Sequence, residues 1–341
     1  MDITVVGPGA VGTLLGGLLS LKGHGVSFRC RQGSATGSGG RVRLVLPDRW
    51  VTADGLRFAG PGGQLRTPNV ILFALARHHL RALRRPDFQR LVGSAGSSPE
   101  PAVIFINADP DEPGRLGFPP RSRDGKCAGS AGKGSWSLCL TLMNAVKLQD
   151  REAELTSDEP ALIVEKGSAG QELLAGLDGF GFKVMAVADP LPFGTSLFVS
   201  QLLFLPVAMC NTTLERFLCF AEGRELARTV LSEGLEAMAR AGRQLARLPR
   251  MDPQDLLARL ERKPDSFAVV RERPDRSYNT VLQSYLRGRP TEAAELNRRV
   301  VEIASGAGLH LEWNWRILQK AGRIASLGFY PHPGDLLKSL E

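Results

Sequence analysis

Apolar residues come in short β-branched blocks over the first half of the chain and at helical spacing over the second. The first block, Ile3, Val5 and Val6, runs directly into Gly7-Pro8-Gly9-Ala10-Val11-Gly12. Leu14, Leu15, Leu18 and Leu19 follow on one helical face, so the opening predicts a strand, a tight turn and a helix. A second strand pattern, Gly25-Val26-Ser27-Phe28, arrives at the spacing of a βαβ unit.

G-x-G-x-x-G in this position has a physical reading. The first glycine lets the chain turn, the second lets backbone approach a pyrophosphate, and the third lets helix and strand pack closely. The helix start then offers free N–H groups and partial positive charge to an anion. Gly7, Gly9, Ala10, Val11 and Gly12 are therefore the candidate dinucleotide-binding residues.

Residues 41–46 and 50–58 read as further short strands, and residues 69–75 as a buried parallel strand followed by a basic helix over 77–92. Residues 102–107 form another buried strand, which puts Asn107 at its C-terminal end, either as a ligand-facing residue or as a turn residue before Asp109-Pro110. Residues 108–135 are rich in Gly, Pro, Ser and Arg and read as irregular. Regular pattern returns at 137–147, 161–165 and 182–188. Beyond Pro190 helical patterns take over, at 197–211, 222–241, 253–261, 278–286, 292–308 and 315–325, with Thr291 as N-cap of the fifth. The expected fold is α/β: a Rossmann-type doubly wound parallel sheet over 1–189, then an all-α domain over 190–341 for substrate and dimerisation.

Cofactor choice turns on the end of the second strand, where a carboxylate would bind the ribose 2′-hydroxyl of NAD and an arginine the 2′-phosphate of NADP. No Asp or Glu occurs between Asp2 and Asp48, and Arg29 and Arg31 stand at that place. NADP(H) is the expected cofactor, with Arg31 as the phosphate ligand.

The bulk properties narrow the class. The chain has 341 residues, 43% hydrophobic and 23% charged, which is ordinary for a globular protein. A net charge of +8 suits an anionic small molecule. The basic run from Arg77 to Arg90 looks like a solvated helix face, so nucleic acid is not expected. Five cysteines without a C-x-x-C pair suggest neither a disulfide framework nor a zinc site, and no metal is expected. A strand starting at residue 2 leaves no room for a targeting segment, and no uninterrupted apolar run reaches eighteen residues. The expectation is a cytoplasmic protein off the membrane, whose partners are a small-molecule substrate and a second copy of itself.

These residues resemble the ketopantoate reductase (2-dehydropantoate 2-reductase) family. The resemblance rests on Val6 to Gly12, on Gly23-His24-x-Val26 with Arg31, on Ile106-Asn107, and on Thr280-Val281-Leu282-Gln283 followed by Arg287 to Glu292. Asn297, Gly308 and Leu309 continue the last segment. It implies NADPH-dependent hydride transfer to a small keto acid or related C=O or C=N group held in a cleft between the two domains. By resemblance Glu292 binds the substrate's hydroxyl end, Thr280 replaces a substrate-binding serine, and Asn107 lies beside nicotinamide and substrate. Asn211 matches a helix asparagine of the site.

One departure is chemical. The family protonates the developing alkoxide with a lysine in K-x-x-x-N at a helix start, which corresponds to residues 198–211. This chain has no lysine between Lys183 and Lys263; Gln201 or Leu203 stands at the lysine's place and Leu205 or Val207 at the asparagine's. A positioned proton donor contributes about 10²–10⁴-fold. Three routes stay open: Tyr278 or a water donates, the substrate is an iminium or similar electrophile, or the chain binds NADP with little turnover, as a sensor or assembly protein.

Overall fold

The computed structural model describes residues 1–30, 37–60, 63, 65, 67–88, 101–108, 112–118, 136–262, 264–267 and 292–341. The chain forms two compact units, Met1–Pro190 and Leu191–Glu341, each with its own apolar core.

The first unit carries β1 (Asp2–Val6), α1 (Ala10–Leu21), β2 (Gly25–Arg29), β3 (Gly37–Val45), β4 (Trp50–Ala59), β5 (Val70–Phe73), α2 (Arg77–Ala82), β6 (Ala102–Ile106), α3 (Glu112–Arg115), β7 (Trp136–Leu142), β8 (Ala145–Gln149), β9 (Glu152–Leu155), β10 (Ala161–Glu165), α4 (Ala169–Leu174) and β11 (Lys183–Val187). They build an 11-stranded sheet in the order β11-β10-β7-β6-β5-β1-β2-β4-β3-β9-β8. The run from β7 through β6, β5, β1 and β2 to β4 is parallel throughout; antiparallel pairs occur at its flanks, β10 on β7, β3 on β4 and β8 on β9. This is the expected α/β, parallel-rich sheet.

Strand order reverses at β1, with β2 on one side and β5 on the other. The C-terminal ends of β1 and β5 thus border the crevice where open α/β sheets bind ligands. Leu14, Leu15, Leu18 and Leu19 of α1 are fully buried, each worth about 2–3 kcal/mol relative to exposure, and they fix the helix behind that crevice.

The second unit is helical: α5 (Leu191–Gln201), α6 (Phe204–Met209), α7 (Leu214–Cys219), α8 (Ala221–Arg240), α9 (Pro253–Arg262), α10 (Glu292–Gly306), α11 (Glu312–Leu327) and α12 (Pro333–Leu340). Leu226, Ala227, Val230, Leu231, Ala237 and Met238 give α8 one continuous buried face, the axis of this core.

Two long helices expected from periodicity are broken, both by proline. Instead of one helix over 77–92, α2 stops at Ala82, with Leu83 extended (ψ 118°). Pro86 has no N–H for the Ala82 carbonyl and its ring clashes there, so it is accommodated in the first turn of a new helical segment beginning at Arg85. Likewise residues 197–211 do not form one helix: Pro206 cannot bond back to Leu202, and the chain interrupts between α5 and α6. The stretch Leu191–Met209 is long and apolar enough to cross a membrane by length and composition, but most of it is buried among the other helices as core. Regular structure over 137–147 divides into β7 and β8. The helix expected over 278–286 and the N-cap expected at Thr291 lie outside the described residues.

Candidate functional site

The site is built on the turn between β1 and α1. Gly7 has φ +96°, a conformation that side-chain-bearing residues rarely adopt, and its N–H donates to Arg29 O at 3.5 Å. Across the switch point, Ala74 N donates to Val6 O at 2.9 Å. A Cβ on Gly12 would stand 2.1 Å from Gly7 O, so only glycine lets the helix close against the turn.

Gly9 differs from both. Its φ is −73°, and a Cβ there would meet nothing within 4 Å. Neither backbone strain nor packing requires glycine at this position. The exposed backbone and open space are what a phosphate needs in order to come close. Thr13 N bonds to Gly9 O at 2.9 Å to begin α1, the N-cap side chain offers no cap, and no acidic residue occupies the first turn. The leading N–H groups are left to a ligand or to water. A dinucleotide pyrophosphate fits this donor set.

Cations surround the end of β2. Arg29 Nη1 donates to Gly60 O at 2.9 Å and Gly63 O at 2.6 Å, which ties down the segment after β4, while its Nε is buried without an acceptor among the described residues. Of the two arginines noted in the sequence, Arg29 is thus engaged by backbone; Arg31 lies outside the described residues. Lys147 of β8, 139 residues from the turn, donates from Nζ to Pro8 O at 3.1 Å. Sequence reasoning missed this lysine, because no local pattern pairs β8 with the opening turn. Burial raises the Cys30 thiol above its ordinary pKa, against the opposing pull of Lys147, Arg151 and Arg29.

Asn107 ends β6 in a left-handed conformation, φ 52°. Its Nδ2 donates to Thr141 Oγ1 at 2.6 Å, and its Oδ1 accepts from Thr141 N at 2.8 Å. This reciprocal pair fixes the amide on the neighbouring β7 and leaves it one further N–H and one lone pair. Thr141 had no signal of its own in the sequence.

The residues expected from the helical half are less complete. Asn211 is exposed and left-handed (φ 47°) just after α6, with its N–H on Ala208 O at 3.0 Å, a helix-ending role that suits asparagine. Glu292 is the first residue of α10, with its side chain outside the description, and Thr280 lies wholly outside it. Where the lysine would stand, Gln201 is half-buried at the end of α5 and Leu203 is 0% exposed; at the asparagine's place Leu205 is 0% exposed and Val207 3%, so all three apolar residues lie within the core. Burial pushes the thiols of Cys139 and Cys210 up to about 12, which removes both as nucleophiles near neutral pH. No group of three metal-ligating side chains occurs among the described residues.

The fold and turn define a class: a Rossmann-type α/β unit followed along the chain by an all-helical unit. Residues 206–324 match the family model described as the C-terminal domain of ketopantoate reductase PanE/ApbA, and that stretch of the helical unit belongs to it. Its fold matches the PanE/ApbA family ketopantoate reductase of Ralstonia eutropha JMP134 with a TM-score of 0.70 at 16% identity, covering 96% of this chain and 99% of that one. The probable 2-dehydropantoate 2-reductase of Bacillus subtilis gives 0.64 at 15% identity, covering 95% and 100%. D-mandelate dehydrogenase, solved with NADH and anilino(oxo)acetate, gives 0.69 at 12%, covering 96% and 100%. Comparison of the sequence with curated proteins returns no match.

Proposed function

We propose that the chain is an NADPH-dependent oxidoreductase that reduces a small 2-keto acid or a related C=N substrate. The observation that carries this reading is Gly9, a glycine in open space in front of an uncapped helix N-terminus at the sheet's switch point. The family's C-terminal domain and the fold likeness to a ketopantoate reductase and to a dehydrogenase solved with NADH support it. The bound nicotinamide would supply hydride. Gly7 to Gly12 would hold the pyrophosphate, and Arg31, in a stretch without any carboxylate, would hold the 2′-phosphate and favour NADPH over NADH. Asn107, fixed by Thr141, would orient the substrate or the carboxamide with its remaining N–H. Thr280, Glu292 and Asn211 are the substrate-side residues by family resemblance, and a homodimer through the helical unit goes with them.

A second reading is favoured by the missing lysine: a NADP-binding family member with little or no turnover, in a sensor or assembly role. Loss of NADPH absorbance with a panel of 2-keto acids and cyclic imines separates the two. Reduction of any member above background supports the enzyme. NADPH binding without reduction of any member rejects it in favour of the silent binder.

A further inference from the structure

Three features place the β8–β9 hairpin in the cofactor's territory. It is anchored to the sheet edge, β9 running parallel to β3, with Ala145, Val146, Ala153 and Leu155 buried beneath it. Lys147 reaches from it to the carbonyl of Pro8, inside the glycine turn. The hairpin turn is also fixed: Arg151 stands at φ 68°, its carbonyl accepts from Arg43 N at 2.9 Å, and its guanidinium lies 4.3 Å over the Phe58 ring. Phe58 itself stacks on Phe28 of β2 at 4.9 Å, so the turn is held beside the strand that follows α1 and ends at Arg29.

We propose that Lys147 is a pyrophosphate ligand, a point cation delivered to the glycine turn from the far edge of the sheet. This rests on the dinucleotide reading of that turn. Backbone N–H groups supply direction but only partial charge; an ammonium beside Pro8 supplies a full one. Its present partners do not prevent this. The ion pair with Asp150, at 3.2 Å, involves a carboxylate 84% exposed, which competes weakly. The Pro8 carbonyl takes one of three N–H donors. The location also fixes the specificity: a pyrophosphate contact serves NADPH and NADH alike, unlike one to the 2′-phosphate.

The test is equilibrium binding of NADPH and of NADH to the full-length protein, read by reduced-nicotinamide fluorescence, for wild type, Lys147→Gln and Lys147→Arg, with thermal melting of each. The proposal expects Lys147→Gln to weaken both nucleotides by about tenfold, the effect of removing one partly exposed charge contact, with the melting temperature unchanged, and Lys147→Arg to restore most of the affinity. Unchanged affinity in Lys147→Gln overturns it and leaves Lys147 as a tether for the Pro8 carbonyl. A loss confined to NADPH overturns the assignment to the pyrophosphate. A Lys147→Gln protein that melts early and stays weak as Lys147→Arg likewise overturns it, since the charge would not be the cause. Wild type that binds neither nucleotide rejects the dinucleotide reading itself, which separates that failure from this one.

Discussion

Two helix N-termini, one in each unit, present the same unsatisfied backbone donors and treat them differently. At α11 the N-cap is Leu311, which has no side chain to offer, and Glu233 from α8 supplies the acceptors instead. Its carboxylate takes Trp313 N and Asn314 N, each at 2.9 Å, together with Asn314 Nδ2 at 2.8 Å. Asn297 Nδ2 then donates to Asn314 Oδ1 at 2.9 Å, and both asparagines are 0% exposed. At α1 neither a capping side chain nor a first-turn acid is present, and the space in front of Gly9 is open. Buried donors without acceptors cost about 1–3 kcal/mol each, so a protein closes such ends where it can. An end that is closed from within does structural work; an end that is open, with Lys147 beside it and a glycine that neither strain nor packing requires, supports the proposed anion site.

Substitutions on the closed side should affect folding and leave nucleotide binding alone. Leu203→Lys puts a charge into a fully buried apolar position and should cost roughly 4 kcal/mol of stability in a denaturant titration. Glu233→Ala should cost about 3 kcal/mol, since three donors lose their acceptor, with NADPH affinity unchanged. A parallel loss of nucleotide affinity would erase the distinction between the two helix ends. On the open side, Arg31→Glu should weaken NADPH by about a hundredfold and NADH only a few-fold, as expected for reversing a charge-pair partner. Equal weakening would remove Arg31 from the 2′-phosphate. The smallest effect is a gain: Gln201→Lys, on a half-buried position, should raise 2-keto acid reduction by about tenfold if proton supply is what the chain lacks. No gain would place the divergence in the substrate pocket.

How much of this could be read from the sequence follows from how local each feature is. The β1 turn and α1 were legible because strand, glycines and leucines are contiguous, and Asn107 was legible because an apolar block ends on it. Pro86 and Pro206 were visible too, but the apolar periodicity around them was stronger than the signal of one missing N–H, and the long helices expected there are broken. The short α7 and α12 went unnoticed although each carries a start signal, Thr213 accepting from Arg216 N and His332 from Gly334 N ahead of Pro333. β9 alternates Ala153 and Leu155 with two glutamates, a pattern too short to separate from loop. Lys147 could not be found at all, because its importance comes from a contact 139 residues away. The same holds for Arg29, which in sequence looked equivalent to Arg31 and in space holds the carbonyls of Gly60 and Gly63.

The most direct test of an opening turn built for a dinucleotide is Gly9→Ala, measured for thermal stability and for NADPH and NADH binding on the same protein. The added methyl meets no protein atom within 4 Å and the backbone is already at an ordinary φ, so melting should match wild type. It would stand where a phosphate must approach, so both nucleotides should bind at least about tenfold more weakly. Unchanged stability with unchanged binding of both would contradict the dinucleotide assignment.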